Sequence, residues 1–334
     1  MQQQFRITKK IRLIELFAGI GSQAMSLRRL GVDFENWVVC EIDKFAIKSY
    51  NAVHGTNFET SNILDLKGKD LHIEETDKYT YILTYSFPCQ DLSLVGKQRG
   101  MKKESDTRSG LLWQVERLLN ECDDLPQILL MENVPQVHGK KNFDDFNSWI
   151  KFLESKGYSC FWKDLNAKNY GVPQNRKRCF MISVLGGVKY EFPNEIPLNY
   201  TIKDFLETSV DKKFYLSERM IKGFQKHNVN HKQKGTGFIW KPKTGDEIAN
   251  CLRANASLCA TDNTIIQKSD KYNFALNSLS VRKLTPKECW RLMGFLDQDF
   301  EKAKAAGISN TQLYKQAGNS IVVNVLMLIF KQML

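Results

Sequence analysis

The chain has 334 residues, 42% of them hydrophobic and 25% charged, with 48 Lys and Arg against 37 Asp and Glu and a formal charge of +11. That length can bury a full core and suits two domains or one large α/β unit, while the positive balance, with an isoelectric point near 9.1, points to a polyanionic partner, nucleic acid before membrane. No stretch approaches the ~20 apolar residues of a membrane span, Met1-Gln2-Gln3-Gln4 has no apolar signal core, and the eight cysteines form no CxxC pair, so the expectation is a cytoplasmic protein with reduced thiols, no membrane and no metal site.

Up to about Val184 short apolar runs alternate with amphipathic segments. Strands are predicted at Ile11–Phe17, Trp37–Cys40, Tyr79–Tyr85, Ile128–Met131, Phe161–Leu165 and Cys179–Val184, with helices between them such as Gly110–Leu119 and Phe143–Lys156. This alternation is the signature of βαβ units around a mostly parallel sheet. The first strand runs into a glycine turn, Phe17-Ala18-Gly19-Ile20-Gly21-Ser22. Glycines there let a ligand approach the backbone and meet the amides that open a helix. Alone the turn is only a turn. A second carboxylate, Glu41, ends the next strand 20 residues after Gly21, where an acid can bind both ribose hydroxyls. The third glycine of the dinucleotide fingerprint is missing, which favours an adenosine-containing cofactor without a pyrophosphate.

The third strand ends in Ser86-Phe87-Pro88-Cys89-Gln90, which presents a thiol at the carboxyl edge where open α/β sheets collect ligands. The loop that follows holds Lys97, Arg99, Lys102, Lys103 and Arg108 against Glu104 and Asp106, and nearby positive charge favours a thiolate. By itself the pentapeptide serves equally as an idle, buried strand end. Glu132 closes the strand Ile128–Met131, and Gln174-Asn175-Arg176-Lys177-Arg178 is an extended run that sends Arg176 and Arg178 to one face. Taken singly, these are a surface acid and a solvated basic strand.

Gly186-Gly187 breaks the alternation. Between Lys212 and Lys243 nine Lys or Arg face one acid, Glu218, which reads as a second, smaller domain with a basic surface. His227 and His231 can share a helix face, but no further ligand stands at metal spacing. Thr285-Pro286 opens a helix, with Glu288 completing a capping box, and Ser320–Leu334 reads as an apolar terminal helix. The division expected is 1–185, 186–280 and 281–334, the last returning to the first domain.

Phe17-Ala18-Gly19-Ile20-Gly21, Pro88-Cys89-Gln90, Glu132-Asn133-Val134, Gln174-Asn175-Arg176-Lys177-Arg178 and Gly318-Asn319-Ser320 together resemble the DNA (cytosine-5)-methyltransferases, in order and spacing, over nearly all the chain except its basic middle. The resemblance implies an α/β fold with a mostly parallel Rossmann-like methyltransferase sheet and a second, irregular or β-rich target-recognition domain at 186–280. It implies S-adenosyl-L-methionine as methyl donor, with Phe17 on the adenine, Glu41 on the ribose and the Gly19–Ser22 backbone under the methionine part. Ala18, Ile42, Ile63 and Pro88 belong to the same site. Asn62 stands where relatives usually carry Asp, and its amide oxygen can accept from the adenine amino group. Asn319 and Ser320 are expected to meet the donor's carboxylate, either as an anion site or as a plain helix cap.

Carbon 5 of cytosine is a poor nucleophile until a thiolate adds at carbon 6. The family's chemistry therefore makes Cys89 the nucleophile and Glu132 the proton donor to ring nitrogen 3, since a desolvated pocket favours a protonated carboxyl. It puts Arg178 at the base carbonyl and Arg176 near the thiol and the backbone phosphate. The target must be flipped out of the duplex, with Ser93–Arg108 as closing loop and Gly96 and Gly100 as hinges. Ile248–Ala254 resembles the end of a recognition domain, with Cys251 in place of the usual Thr. Expected partners are double-stranded DNA and, in a restriction system, a cognate endonuclease, with the enzyme a monomer. A tRNA-methylating relative with the same motifs and a catalytically dead nucleic-acid binder are the competing readings.

Overall fold

The computed structural model describes residues 5–92, 99–103, 107–235, 237–254, 258–268 and 279–334. In chain order the strands are β1 (Lys10–Leu16), β2 (Phe34–Cys40), β3 (Tyr79–Tyr85), β4 (Ile128–Asn133), β5 (Tyr158–Asn166), β6 (Gln174–Asn175), β7 (Lys177–Leu185), β8 (Ala249–Asn250), β9 (Thr264–Lys268) and β10 (Leu279–Lys283). The helices are α1 (Ser22–Arg29), α2 (Lys44–His54), α3 (Leu112–Glu121), α4 (Phe143–Ser155), α5 (Glu218–Lys234), α6 (Pro286–Leu292), α7 (Asp297–Ala305), α8 (Asn310–Asn319) and α9 (Val323–Lys331). All six strands expected up to Val184 are present, with ends displaced by at most a few residues.

The main sheet has the order β2-β1-β3-β4-β7-β5. β1 pairs in parallel with β2 and β3, and β3 with β4, whereas β7 is antiparallel to both β4 and β5. The sheet is therefore mostly parallel, with β7 reversed. The reason is the short link between β5 and β7, residues 167–176, which has no room for the crossover helix that a parallel neighbour needs. β3 and β4 are buried along almost their whole length, as central strands covered on both faces should be.

Two compact units partition the chain. The first takes it up to Asn166 and adds Lys177–Glu195 and Ile321–Leu334; the second comprises Ala167–Arg176 and Ile196–Ser320. The return to the first unit thus falls at Ile321 rather than at residue 281. Residues between them stay in the second unit because α6 and α8 pack on each other, with Trp290 Nε1 donating to the Leu313 carbonyl at 3.0 Å, and because Gln174 Nε2 donates to the Leu292 carbonyl at 2.9 Å. Gln174 enters that unit through its pairing with Ala249.

Inside the second unit Arg282 and Glu288 form a fully buried bidentate pair at 2.8 Å for each bond. The predicted capping box is formed, Thr285 Oγ1 accepting from Glu288 N–H and Glu288 accepting from Thr285 N–H. The stretch between 186 and 280 is irregular, as expected, but its longest described element is the helix α5 and not a strand. Ser217 caps that helix, and residues of good helix propensity such as Arg, Lys, Gln and Met fill it.

One segment, Asn310–Lys331, is long and apolar enough by composition to cross a membrane, with 61% of its apolar window buried. It comprises two helices, α8 and α9, separated at Ser320–Val322. The terminal helix is accordingly shorter than the predicted Ser320–Leu334.

Candidate active site

The glycine turn joins β1 to α1 at the carboxyl edge of the sheet. Phe17, Gly19 and Gly21 all have left-handed backbone, with φ of 58°, 58° and 76°. A Cβ on Gly21 would lie 2.4 Å from His54 Nε2 and 2.6 Å from Tyr50 Cε2, so only glycine fits there. A Cβ on Gly19 would meet no described atom within 4 Å, which leaves open space above the turn for a ligand. Glu41 straps the turn from the end of β2. One carboxylate oxygen accepts from Gly19 N–H and the other from Asp43 N–H, each at 2.8 Å, and burial pushes its pKa upward. A carboxylate has lone pairs left after two such bonds, enough to receive ribose hydroxyls. Phe17 is half-buried and Ile42 is exposed, while Ala18 and Ile20 are buried under the turn. The turn, the open floor and the free lone pairs of Glu41 fit a nucleoside-bearing donor.

Asn62 and Ile63 follow in the same unit, with Ile63 buried. Asn62 Oδ1 accepts from Leu64 N–H at 3.1 Å, closing a turn of the Asx type. The oxygen expected to meet the adenine therefore already has a backbone donor.

Sequence reading passed over the layer beneath the turn. Glu15, the only acid in the run Ile11–Phe17, is fully buried. The Tyr50 hydroxyl lies 2.5 Å from Glu15 Oε2 and 2.9 Å from Asn36 Oδ1, and Ala24 N–H donates to Glu15 at 3.4 Å. Burial drives the Glu15 carboxyl from 4.5 up to about 7. An acid inside an apolar strand was the visible signal.

The thiol lies at the end of β3. Three side chains pin its loop: Asn133 Nδ2 donates to the Phe87 carbonyl at 3.0 Å, Ser109 Oγ to the Pro88 carbonyl at 2.7 Å, and Arg108 to Gln90. Asp91 gathers the next segment, accepting from Arg99 Nε and Arg108 N–H, each at 2.9 Å, and these donors hold its pKa below the ordinary value. Two guanidinium groups thus stand on the loop that carries Cys89, which is itself half-buried. Gly100 is buried and its N–H donates to the Asp91 carbonyl; Gly96 and Lys97 lie outside the described residues. One strand over, Glu132 sits at the end of β4, mostly buried, in an ion pair with Arg178 Nε of β7 at 3.2 Å. Asn133, the neighbour of Glu132, ties the two strand ends together through its bond to Phe87.

The structure does not gather all the expected residues into one unit. Phe17–Ser22, Glu41, Ile42, Asn62, Ile63, Pro88, Cys89, Glu132 and Arg178 belong to the first unit, and Arg176, Asn319 and Ser320 to the second. Arg176 is buried and donates to the carbonyls of Leu252, Gly318 and Ser320 at 3.1, 2.9 and 2.8 Å and to Cys251 Sγ at 3.4 Å. These bonds make it a clasp between three chain segments, a role its place in an extended basic run could not announce. Gly318-Asn319-Ser320 ends α8 rather than opening the terminal helix: Ser320 N–H and Oγ return to the Gln316 carbonyl at 3.0 and 2.8 Å. The next residue, Ile321, donates to Ser22 Oγ at 3.2 Å, so the chain comes back to the first turn of α1. Arg253, within the stretch Ile248–Ala254, grips Asp262 with two bonds of 2.7 Å.

Among the described residues one group has metal-ligating types together, His138, Asp164 and Cys179. Asp164 already accepts from His138 at 2.9 Å and pairs with Lys177 at 3.1 Å, and burial pushes the Cys179 thiol far up. The group reads as a hydrogen-bonded cluster in which Asp164 is paired with Lys177.

A glycine turn with its acid strap, a half-buried thiol after β3 and a buried acid–arginine pair at the end of β4 stand on one sheet edge. The family model for C-5 cytosine-specific DNA methylases matches residues 11–334, and the chain belongs to that family, whose methyl donor is S-adenosyl-methionine. It is 30% identical to the type II methyltransferase M2.ScrFI of Lactococcus lactis subsp. cremoris, over 97% of this chain and 99% of that one. It is 31% identical to the orphan methyltransferase M.SssI of Spiroplasma monobiae, over 96% of each. In fold it resembles the methyltransferase EhMeth of Entamoeba histolytica, with a TM-score of 0.77 at 19% identity over 97% of this chain and 98% of that one. The Dnmt2 methyltransferase of S. pombe is similar, with a TM-score of 0.74 at 23% identity over 96% and 97%.

Proposed function

We propose that this DNA cytosine-5 methyltransferase is sequence-specific and methylates a cytosine flipped out of duplex DNA through a covalent adduct on Cys89. The observation that carries the reading is the Cys89 loop pinned by Asn133 next to the Glu132–Arg178 pair. The Cys89 thiolate adds to carbon 6 of the base, forming the C–S bond, while Glu132 gives its proton to nitrogen 3 and Arg178 steadies the base carbonyl. The donor supplies the methyl group to carbon 5. Water then takes the proton from carbon 5, the C–S bond breaks to return the thiolate, and the proton on nitrogen 3 goes back to Glu132. The chain's own part at the donor is to seat it: Phe17 and Ile42 offer apolar faces, Glu41 takes the ribose, and Gly19 leaves room.

Residues 186–280 are read as the target-recognition region and 1–185 with the returning segment 321–334 as the catalytic part, while 281–320 pack within the second unit. Donor turn, thiol and basic segment belong to one chain, which suits a monomer. The enzyme is read as cytoplasmic, acting with a cognate restriction endonuclease or as an orphan.

The test uses labelled donor with duplex DNA or tRNA, followed by deamination sequencing to map the modified cytosine. Duplex containing 5-fluorocytosine should trap the enzyme, because fluorine does not leave as a proton does. Cys89→Ala should lose trapping and methylation yet keep donor binding. Methylation by that variant at the wild-type rate, or modification of tRNA alone, overturns the proposal.

A further inference from the structure

Helix α5 is unusually bare for its length. Of its 17 residues only Ile221 is buried. It is held by one seam at helical spacing: Ile221 joins a small cluster with Trp240, Phe224 stacks on Trp240 at 4.9 Å, and Asn228 exchanges two 2.7 Å bonds with the Trp240 backbone. Both ends are finished, by the Ser217 cap and by Gly235 in left-handed backbone, so the helix is complete and rests on a single edge.

The opposite face carries Arg219, Lys222 and Lys226, all exposed, with Gly223 among them. Arg219 precedes Gly223 by one turn and Lys226 follows it by three residues, so both flank it on the helix surface. A glycine inside a helix is disfavoured relative to alanine. Nothing in the described molecule requires it here, since its φ is not left-handed and a Cβ would meet no described atom within 4 Å. At Gly21 and Gly318, by contrast, a neighbour occupies the space. The one acid on this face, Glu218, lies only within 3.7 Å of Lys222 and leaves the patch positive. The apolar seam faces inward, so the outer face lacks the apolar stripe of a membrane-lying helix.

We propose that Gly223, framed by Arg219, Lys222 and Lys226, is a seat for the phosphodiester backbone of duplex DNA: the bare helix backbone admits the strand and the three cations neutralise its phosphates. The seat deepens the recognition reading of residues 186–280 and rests on it. Its contribution is register and affinity without base preference.

Binding of full-length protein to a labelled duplex, followed by fluorescence anisotropy over a salt series, tests the seat. Arg219→Gln with Lys226→Gln should weaken binding and lower the slope of log affinity against log salt by about 2, since each phosphate contact contributes ~0.9. Gly223→Gln should raise Kd about tenfold or more while leaving most of that slope. Gly223→Ala, a control for folding, should raise the melting temperature, and all variants should bind donor as wild type does. Wild-type Kd and salt slope in both the double variant and Gly223→Gln overturn the seat while leaving the enzyme's assignment intact, provided wild type methylates the duplex. Wild type that neither binds nor methylates duplex overturns the underlying reading instead. Losses confined to tRNA binding make the partner RNA and also overturn the seat.

Discussion

Glu15→Gln isolates the charge buried beneath the glycine turn. In the folded protein the Glu15 carboxyl rises from 4.5 to about 7 because it is fully buried, with Tyr50 and Ala24 offsetting only part of the effect. The fold therefore holds the Glu15 proton more tightly than the unfolded chain does. This penalty is absent below about pH 4.5, grows as pH rises, and is fully developed above about pH 7. At ~1.4 kcal/mol per pH unit the rise corresponds to about 3 kcal/mol. The geometry accommodates the acid form: a protonated Glu15 can donate to the Tyr50 oxygen while Tyr50 donates to Asn36 Oδ1, 2.9 Å away. Glutamine reproduces that donor and keeps an acceptor for Ala24 N–H without any charge. Urea unfolding of both proteins from about pH 5 to pH 8.5 should show wild type losing roughly 3 kcal/mol relative to Glu15→Gln across the range. A constant offset between the two curves, whatever its sign, refutes the assignment. That result would mean that the fold binds the Glu15 proton no more tightly than the open chain does.

Glu132→Gln should leave donor affinity and DNA affinity nearly unchanged and slow single-turnover methylation by ~10²–10⁴-fold, the usual worth of general acid catalysis; a loss under tenfold would assign the proton to another group. Gly318→Ala should destabilise the protein by about 1–3 kcal/mol, as overpacking does, because the new Cβ would lie 2.2 Å from Arg253 and Ala254 backbone atoms, which no rotamer change relieves. Chemical denaturation measures it, and a stability within error of wild type would show that the two segments can part at no cost.

The local signals were legible in the chain itself. Apolar runs located the six strands of the main sheet, most plainly β3 and β4, whose burial on both faces requires continuous apolar sequence. Gly19, Gly21 and Glu41 marked the glycine turn and its strap, Cys89 and Glu132 marked adjacent strand ends, and Thr285-Pro286 with Glu288 marked a helix start, because caps and tight turns depend on residues a few positions apart. What required the tertiary structure was every feature set by residues far apart in sequence. β7 is reversed because the chain between it and β5 is too short for a crossover. Arg176 is a clasp because carbonyls from two other segments, Leu252 and Gly318–Ser320, converge on it. Gly318-Asn319-Ser320 closes a helix because the Gln316 carbonyl is the acceptor within reach of Ser320. Glu15 is a buried acid because Tyr50, itself bonded to Asn36, and the Ala24 N–H, on other elements, meet it there. Periodicity and spacing report which residues seek burial or a cap; which partner satisfies a buried polar group is decided only when distant segments compete for it in space.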